Sequence, residues 1–429
     1  MPMTIAELHK IFLECNSQFS TDSRKISEGD IFFALKGERF DGNLFAKEVI
    51  ERGAAWAVID DKKQENAHTI LVDDVLIALQ ELANYHRQTF DIPVIGITGS
   101  NGKTTTKELL HGVLSKKYIV HTTRGNLNNH IGVPLTLLSA PTDTEMMIVE
   151  MGANHIGEIH DLCEIAAPNF GLITNIGKAH LEGFGSIEGV LKGKTELYRY
   201  LASHDSHIFY NDKDTKLRDS IPAQTTKVPY IDWMRLEMDS KFIVISNNKE
   251  ERSSYTTHLV GSYNGSNMRC AATVGEHFDV AKADILQAIA EYVPSNNRSQ
   301  LIEKGAYRFL MDAYNANPSS MKLSISSFAG MSTDRKKVLV LGDMAELGEN
   351  SIDLHAEMIE HLSSYDWAEV ILLGPLFAAA DKSSHHLHYP DVGAMLTRQE
   401  EIREILEERV ALIKASRSMK LEQLETLIK

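Results

Sequence analysis

Apolar and polar positions along this chain come in blocks that predict strands and helices in alternation. PVIGIT (93–98), EMMIVEM (145–151) and FGLITNI (170–176) are short continuous apolar runs, and each precedes a stretch with helical spacing. Those stretches are KTTTKELLHGVLSKKY (103–118), IGEIHDLCEIAAP with Ile156, Ile159 and Leu162 on one face, and IEGVLKGKTELYRYL (187–201). Unbroken apolar strands alternating with amphipathic helices predict a mainly parallel sheet covered on both faces. A more β-rich stretch follows (KVPYIDW, KFIVIS, TTHLV), then helices from Asn267 to about Val293.

Similar grammar flanks this block on both sides. Upstream, GDIFFALKG (29–37), AAWAVID (54–60) and TILVDD (69–74) read as strands, with helical FAKEVIERGA (45–54) and VLIALQELANYHRQTF (75–90). Downstream of the linker-like Pro294-Ser295-Asn296-Asn297, KVLVLGD (337–343), EVILLG (369–374) and VALIKAS (410–416) read as strands. IDLHAEMIEHL (352–362) and REILEERV (403–410) read as helices between them. The expected fold class is α/β with three domains, 1–84, 85–296 and 297–429, a division that suits 429 residues.

Composition narrows the partners. With 43% apolar and 24% charged residues, the balance is that of a soluble globular chain. A formal net charge of −15 argues against a nucleic-acid groove, since phosphate would be repelled over most of the surface. The start MPMTIAELHK lacks the pattern of a secretory signal, and no apolar run approaches the roughly 20 residues of a membrane span. Cys15, Cys163 and Cys270 are too scattered for a CxxC pair and read as reduced thiols. A cytoplasmic protein, with no nucleic acid and no membrane insertion, is the expectation.

The sharpest local signal is ITGSNGKTTTKE (97–108), a buried strand that enters a Gly-rich turn and opens into a helix. Gly99 and Gly102 let backbone N–H groups of Ser100, Asn101 and their neighbours close around phosphate, helped by the helix N-terminus. Lys103 suits the terminal phosphates, and the Thr104 hydroxyl, with Thr105 beside it, suits Mg²⁺. Ile97 stands where the usual GxxxxGK[ST] pattern has glycine, so the loop is GxxGKT. Glu150, at the carboxyl end of an apolar strand, and His180, after another, fall on the edge where α/β sheets bind ligands. Each has an ordinary structural explanation when taken singly: a solvated strand-end glutamate, a surface histidine.

GSNGKTTTKE, EMGANHIGEI (150–159), NIGKAHLEGFGS (175–186), DAYNANPSSM (312–321) and LGDMAELGE (341–349), in this order, resemble the Mur ligase family over essentially the whole chain. The resemblance implies a small UDP-binding N-terminal domain, a central P-loop ATPase domain and a Rossmann-like C-terminal domain. It implies ATP and Mg²⁺ as cofactors, and ATP-dependent joining of D-alanyl-D-alanine to UDP-N-acetylmuramoyl-tripeptide by a monomer. By the same resemblance Lys103, Thr104, Glu150 and His180 hold phosphates and metal, and Asn264 and Asn267 hold adenine, with Tyr263 where many relatives have histidine. Arg298, Asp312, Asn315 and Asn317 reach the nucleotide from the third domain. Ser23 and Arg24 receive the UDP moiety, and Asn126, Asn128 and Asn129 face the substrate. Lys414, Ser416 and Arg417, in KASRSMK, match a dipeptide-contacting segment, although Ala415 replaces its glycine. Lys194 matches a lysine that can take up CO₂ as a carbamate and so become an anionic metal ligand. Two rival functions remain at this point: a folylpolyglutamate-type ligase, and a nucleotide-binding scaffold without catalysis.

Overall fold

The structure, a computed structural model, describes residues 3–238, 242–246, 254–383 and 385–428. Lys241 of the expected KFIVIS strand lies outside them; the strand itself is seen from Phe242 to Ser246. Three parallel-strand sheets succeed one another along the chain.

The first has four parallel strands in the order Phe19–Ser20, Ile31–Phe33, Trp56–Ile59 and Thr69–Leu71. A short antiparallel pair, Lys36–Gly37 with Phe40–Asp41, projects from it. The helix Val75–Gln88 starts where Asp74 accepts the Ile77 N–H, as a capping carboxylate does at a helix N-terminus. Position 84 falls inside this helix. Its apolar face (Val75, Leu79, Leu82, Ala83) shares one core with Leu8 and Phe33 of the first unit and with Val133, Leu137 and Leu162 of the second. Arg87, buried, donates to the carbonyls of Ala166 (3.2 Å) and Ala167 (3.1 Å). The first two units are thereby joined through a common apolar core.

The central sheet has six strands, all parallel, in the order Thr226–Pro229, His207–Tyr210, Phe170–Ile173, Val94–Thr98, Met146–Glu150 and Val120–Thr122. Both faces are covered, as expected: Val94 and Met147 face the core that contains Cys163, whereas Ile95, Ile97 and Ile148 face a second core containing Leu109, Leu110 and Cys270. Two details depart from expectation. Ile156 precedes the helix Glu158–Ala166 and is exposed, so only Ile159 and Leu162 belong to the buried stripe. The run 187–201 forms two helices, Ile187–Lys194 and Glu196–Ser203, because Thr195, at ψ 0°, interrupts the helical run and turns its hydroxyl back onto the Leu191 carbonyl (2.7 Å).

The third sheet also has six strands, ordered Gln300–Lys304, Tyr307–Met311, Arg409–Lys414, Lys336–Gly342, Glu369–Leu373 and Leu387–Tyr389. Only the first pair is antiparallel. Its helix Gln399–Leu406 begins earlier than expected, and the chain has re-entered the sheet by Arg409. The helix Pro318–Gly330, not anticipated, opens with Asn317 as cap and proline in its first turn. Among the described residues no helix is long and apolar enough to cross a membrane.

Candidate active site

The strand Val94–Thr98 ends in the phosphate loop at the carboxyl edge of the central sheet, and the helix Lys103–Leu114 starts from it. Both loop glycines hold φ values that side chains disfavour, +139° at Gly99 and +79° at Gly102. A Cβ at Gly99 would sit 2.0 Å from Thr174 Oγ1, so the loop also needs glycine for close approach to the next strand. That neighbour pins the loop: Ser100 N–H donates to the Asn175 carbonyl (3.0 Å), and Thr174 Oγ1 and Asn175 Nδ2 donate to the Asn101 carbonyl (2.6 and 2.9 Å). Gly102 caps the helix without a side-chain partner, which leaves the first-turn N–H groups available to an anion. Lys103 Nζ folds back onto the carbonyl of Gly99 (2.7 Å). Burial lowers its pKa, with Glu150 acting in the opposite sense.

Glu150 closes the strand Met146–Glu150 and is only 2% exposed. Its Oε1 accepts from Asn128 Nδ2 (2.8 Å), while Oε2 has no hydrogen-bond partner among the described residues. Lys107, one helical turn beyond Lys103 and as buried as Glu150, places Nζ 3.9 Å from that oxygen and donates to the Thr123 carbonyl (2.7 Å). A buried carboxylate oxygen with an unfilled acceptor site, on a cavity that Thr104 and His180 also line, is a donor that suits a hard divalent cation.

A cavity of about 590 Å³ gathers most of the residues singled out in the sequence. The phosphate loop from Ser100 to Thr105, together with Asn126, Asn128, Asn129, Glu150 and His180, lines one wall. Asn264 and Asn267, bonded to each other (3.0 Å), and Tyr263 line a second. The third unit supplies Arg298, Asp312, Asn315, Asn317 and Lys414. Asn317 Nδ2 donates across the seam to Asn101 Oδ1 (2.8 Å), and the Arg298 guanidinium lies 3.5 Å from the Tyr314 ring centroid. Asp312 accepts from Ser324 Oγ and Lys414 Nζ, both at 2.7 Å. Tyr263 bonds Ser299 Oγ (2.6 Å), so the tyrosine links the second unit to the third.

Six of the expected residues lie off this cavity wall. Gly99 is beneath the loop. Lys194, 1% exposed, sits behind the wall and donates to the Ala153 carbonyl (3.0 Å); burial first, then Lys103, lowers its pKa well below the usual lysine range. Ser416 turns its hydroxyl to the Asp343 carbonyl (2.6 Å), and Arg417 is exposed. Ser23 and Arg24 sit on the first unit in a short 3₁₀ turn. There Arg24, with 85% of its side chain exposed, pairs with Asp22 through two nitrogens (2.8 and 2.9 Å). That partner holds the Asp22 carboxyl at about 2.

Sequence inspection passed over Lys107, Thr123, Tyr314 and Ser324. Lys107 alone carried a signal, its four-residue spacing from Lys103 on a helix whose inner face is buried.

A three-domain α/β chain with a phosphate loop at the seam is the architecture of a known class, and the chain belongs to the Mur ligase family. It matches the Mur ligase family catalytic domain over residues 17–87, the Mur ligase middle domain over 97–275 and the Mur ligase glutamate ligase domain over 297–419. Among individual proteins, it is 36% identical to the UDP-N-acetylmuramoyl-tripeptide–D-alanyl-D-alanine ligase of Bacillus subtilis (strain 168), over 94% of this chain and 91% of that one. A crystal structure of MurF from Acinetobacter baumannii superposes with a TM-score of 0.86 at 29% identity, covering 95% of this chain and 92% of the other. The MurF ligase of Thermotoga maritima in complex with ADP gives a TM-score of 0.84 at 28% identity, covering 96% of each chain.

Proposed function

We propose that this chain is an ATP-dependent ligase that joins D-alanyl-D-alanine to UDP-N-acetylmuramoyl-tripeptide in peptidoglycan precursor synthesis. The observation that carries the proposal is the meeting, on one cavity, of the phosphate loop, the buried Glu150 and the third unit's Asp312 and Lys414. Residues 1–84 take the UDP end of the substrate, 85–296 the nucleotide, and 297–429 the incoming dipeptide. Ser23 and Arg24 bind UDP; Asn126, Asn128 and Asn129 steer the tripeptide; Lys414, Ser416 and Arg417 belong to the dipeptide side.

A carboxylate does not condense with an amine until one of its oxygens becomes a leaving group. The tripeptide's terminal carboxylate oxygen attacks the γ-phosphorus of ATP, the bond to the bridging oxygen breaks, and ADP leaves an acyl phosphate. The free amine of the dipeptide then attacks the acyl carbon, loses a proton, and the carbon–oxygen bond to phosphate breaks. Both steps crowd anions together, so the main help is electrostatic. Lys103 leaves its Gly99 carbonyl for the terminal phosphates, and the first-turn amides hold the others. Asn264 and Asn267 hold adenine, with Arg298, Asp312, Asn315 and Asn317 closing from the third unit. Glu150 and Thr104, with His180, would hold Mg²⁺, which when bound would supply charge neutralisation on the phosphates. Exclusion of water protects the acyl phosphate.

Lys194 is proposed to carry a CO₂-derived carbamate in the loaded enzyme; in support are its burial and the lowered affinity of its amine for protons, since carbamylation consumes the neutral amine. Labelled bicarbonate should then give a carbamate resonance that is absent from Lys194→Ala. The chain is proposed to act in the cytoplasm as a monomer, and sedimentation tests the second point.

Mass spectrometry of the product from ATP, UDP-muramoyl-tripeptide and D-Ala-D-Ala tests the whole proposal. The expected result is the joined pentapeptide with ADP and phosphate. Rapid ADP release without the UDP substrate would overturn the reaction order, and absence of the joined product would overturn the function.

A further inference from the structure

The segment 177–182, which follows the strand Phe170–Ile173, is tied to the phosphate loop at Gly177, through Ser100 Oγ, and beyond that to the third unit. Lys178 N–H donates to Ser319 Oγ (2.7 Å), and its ammonium pairs with Glu357 Oε2 (3.0 Å). Glu182 N–H donates to the Glu346 carbonyl (3.4 Å), and Leu181 packs into an apolar cluster of the third unit. Between these ties His180 turns Nδ1 onto the carboxylate of Glu346. Both members of this pair have left-handed backbones, φ 51° at His180 and 60° at Glu346. Residues with a Cβ keep that conformation when their surroundings hold them in it. Glu346 lies in LGDMAELGE, whose Asp343 is occupied within the third unit itself. Its carboxylate accepts the N–H groups of Leu376 and Phe377 at the start of the helix Pro375–Ala380 (2.9 Å each).

We propose that Glu346 is the positioning residue for His180. An imidazole offers one lone pair in its neutral form, and the group opposite the other nitrogen decides which nitrogen carries it. With Nδ1 against the Glu346 carboxylate, Nε2 is the nitrogen left for the cavity that His180 lines. A carboxylate behind a metal-facing histidine fixes its ring and raises its basicity, and its loss weakens metal binding about 10- to 100-fold. Here the carboxylate arrives from a different domain than the imidazole. The cation side of the phosphate site is therefore complete only while the third domain is docked, which ties nucleotide capture to closure. This inference rests on the proposed placing of His180 at the metal.

Lys178–Glu357 supplies an internal control, because it crosses the same seam without touching His180. Mn²⁺ binding to the full-length chain with ADP, followed by electron paramagnetic resonance, is the readout for His180→Ala, Glu346→Ala, Glu346→Gln, Glu357→Ala and the double variant H180A/E346A. Expected is a loss of about tenfold or more for Glu346→Ala. Glu346→Gln should lose less, because its amide oxygen still accepts from Nδ1–H. Glu357→Ala should match the unmodified chain, and Glu346→Ala should add nothing once His180 is gone. If His180→Ala leaves Mn²⁺ affinity unchanged, the placing of His180 at the metal falls and this inference falls with it. If His180→Ala weakens binding but Glu346→Ala matches Glu357→Ala, Glu346 is only a strut and the inference alone is overturned. Should Glu346→Ala fail to fold, Glu346→Gln decides: weaker binding than Glu357→Ala supports the positioning role, and equal binding overturns it.

Discussion

The phosphate loop, read from local pattern, and the Ser23–Arg24 segment, expected from the family resemblance to take UDP, are built in opposite ways. The loop is over-determined: Thr174 and Asn175 pin its backbone, Gly99 leaves no room for a side chain, and Lys103 already sits on a carbonyl within the loop. Arg24 is on the surface, joined to Asp22 two residues away. A site for a triphosphate undergoing chemistry needs donors fixed in place before the reaction. A site that grips only the remote end of a long substrate can order itself on binding, at a cost in affinity and none in the chemical step.

The sharpest way to break this contrast is Lys103→Ala. Turnover should fall about a thousandfold, near 4 kcal/mol of transition-state stabilisation, with the UDP substrate still binding in a calorimetric titration. Loss of both, with the fold intact, would mean that the two regions are not separate sites. Next in size is Lys107→Met. It strands the Glu150 carboxylate without its buried cation, and urea melts should show destabilisation of about 3 kcal/mol. A variant as stable as the parent would show that Lys107 is not what holds Glu150.

Between the two regions lies the helix Val75–Gln88, where His86 Nδ1 meets His9 Nε2 (3.0 Å) in a buried pair. Burial, then His9, pushes His86 down to about 4 from its usual 6.5. The unfolded chain therefore holds more protons across that window, so stability is full above about pH 6.5 and lost as pH falls toward 4. Thermal melts at about pH 7 and about pH 4 should show the parent losing roughly 3 kcal/mol more than His86→Phe. Equal acid sensitivity would place the acid-labile junction elsewhere. The smallest effect is expected from Arg24→Ala: KM for the UDP substrate up about tenfold, kcat unchanged, and melting unaltered. A fall in kcat would show that the surface arginine takes part in the chemical step.

What could be read from the sequence follows the same divide. The central strands, the loop and the strand-end Glu150 were legible, because a buried parallel strand, a glycine turn and a helix start are local patterns; the cavity residues from Asn264 onward came only through the family resemblance. The pairing of His180 with Glu346 was not, since nothing in periodicity brings two positions so distant in sequence together. The hairpin Gln300–Lys304 with Tyr307–Met311 escaped because its edge strand is largely polar and only half covered. The split at Thr195 escaped because the apolar spacing continues across it while the backbone does not.

The three cysteines have a use that no catalytic argument touches. Cys163 and Cys270 are buried in the two cores on opposite faces of the central sheet, whereas Cys15 is half covered on the first unit. Burial holds Cys270 up at about 12 and Cys163 higher still, so neither reacts until its surroundings open. Alkylation thus becomes a clock with three hands. Cys15 times the fraying of the helix Ile5–Glu14, whose last turn it caps. Cys163 times the parting of the core that joins the first two domains, and Cys270 times the unfolding of the sheet's other face, all in one unmodified chain and one mass spectrum.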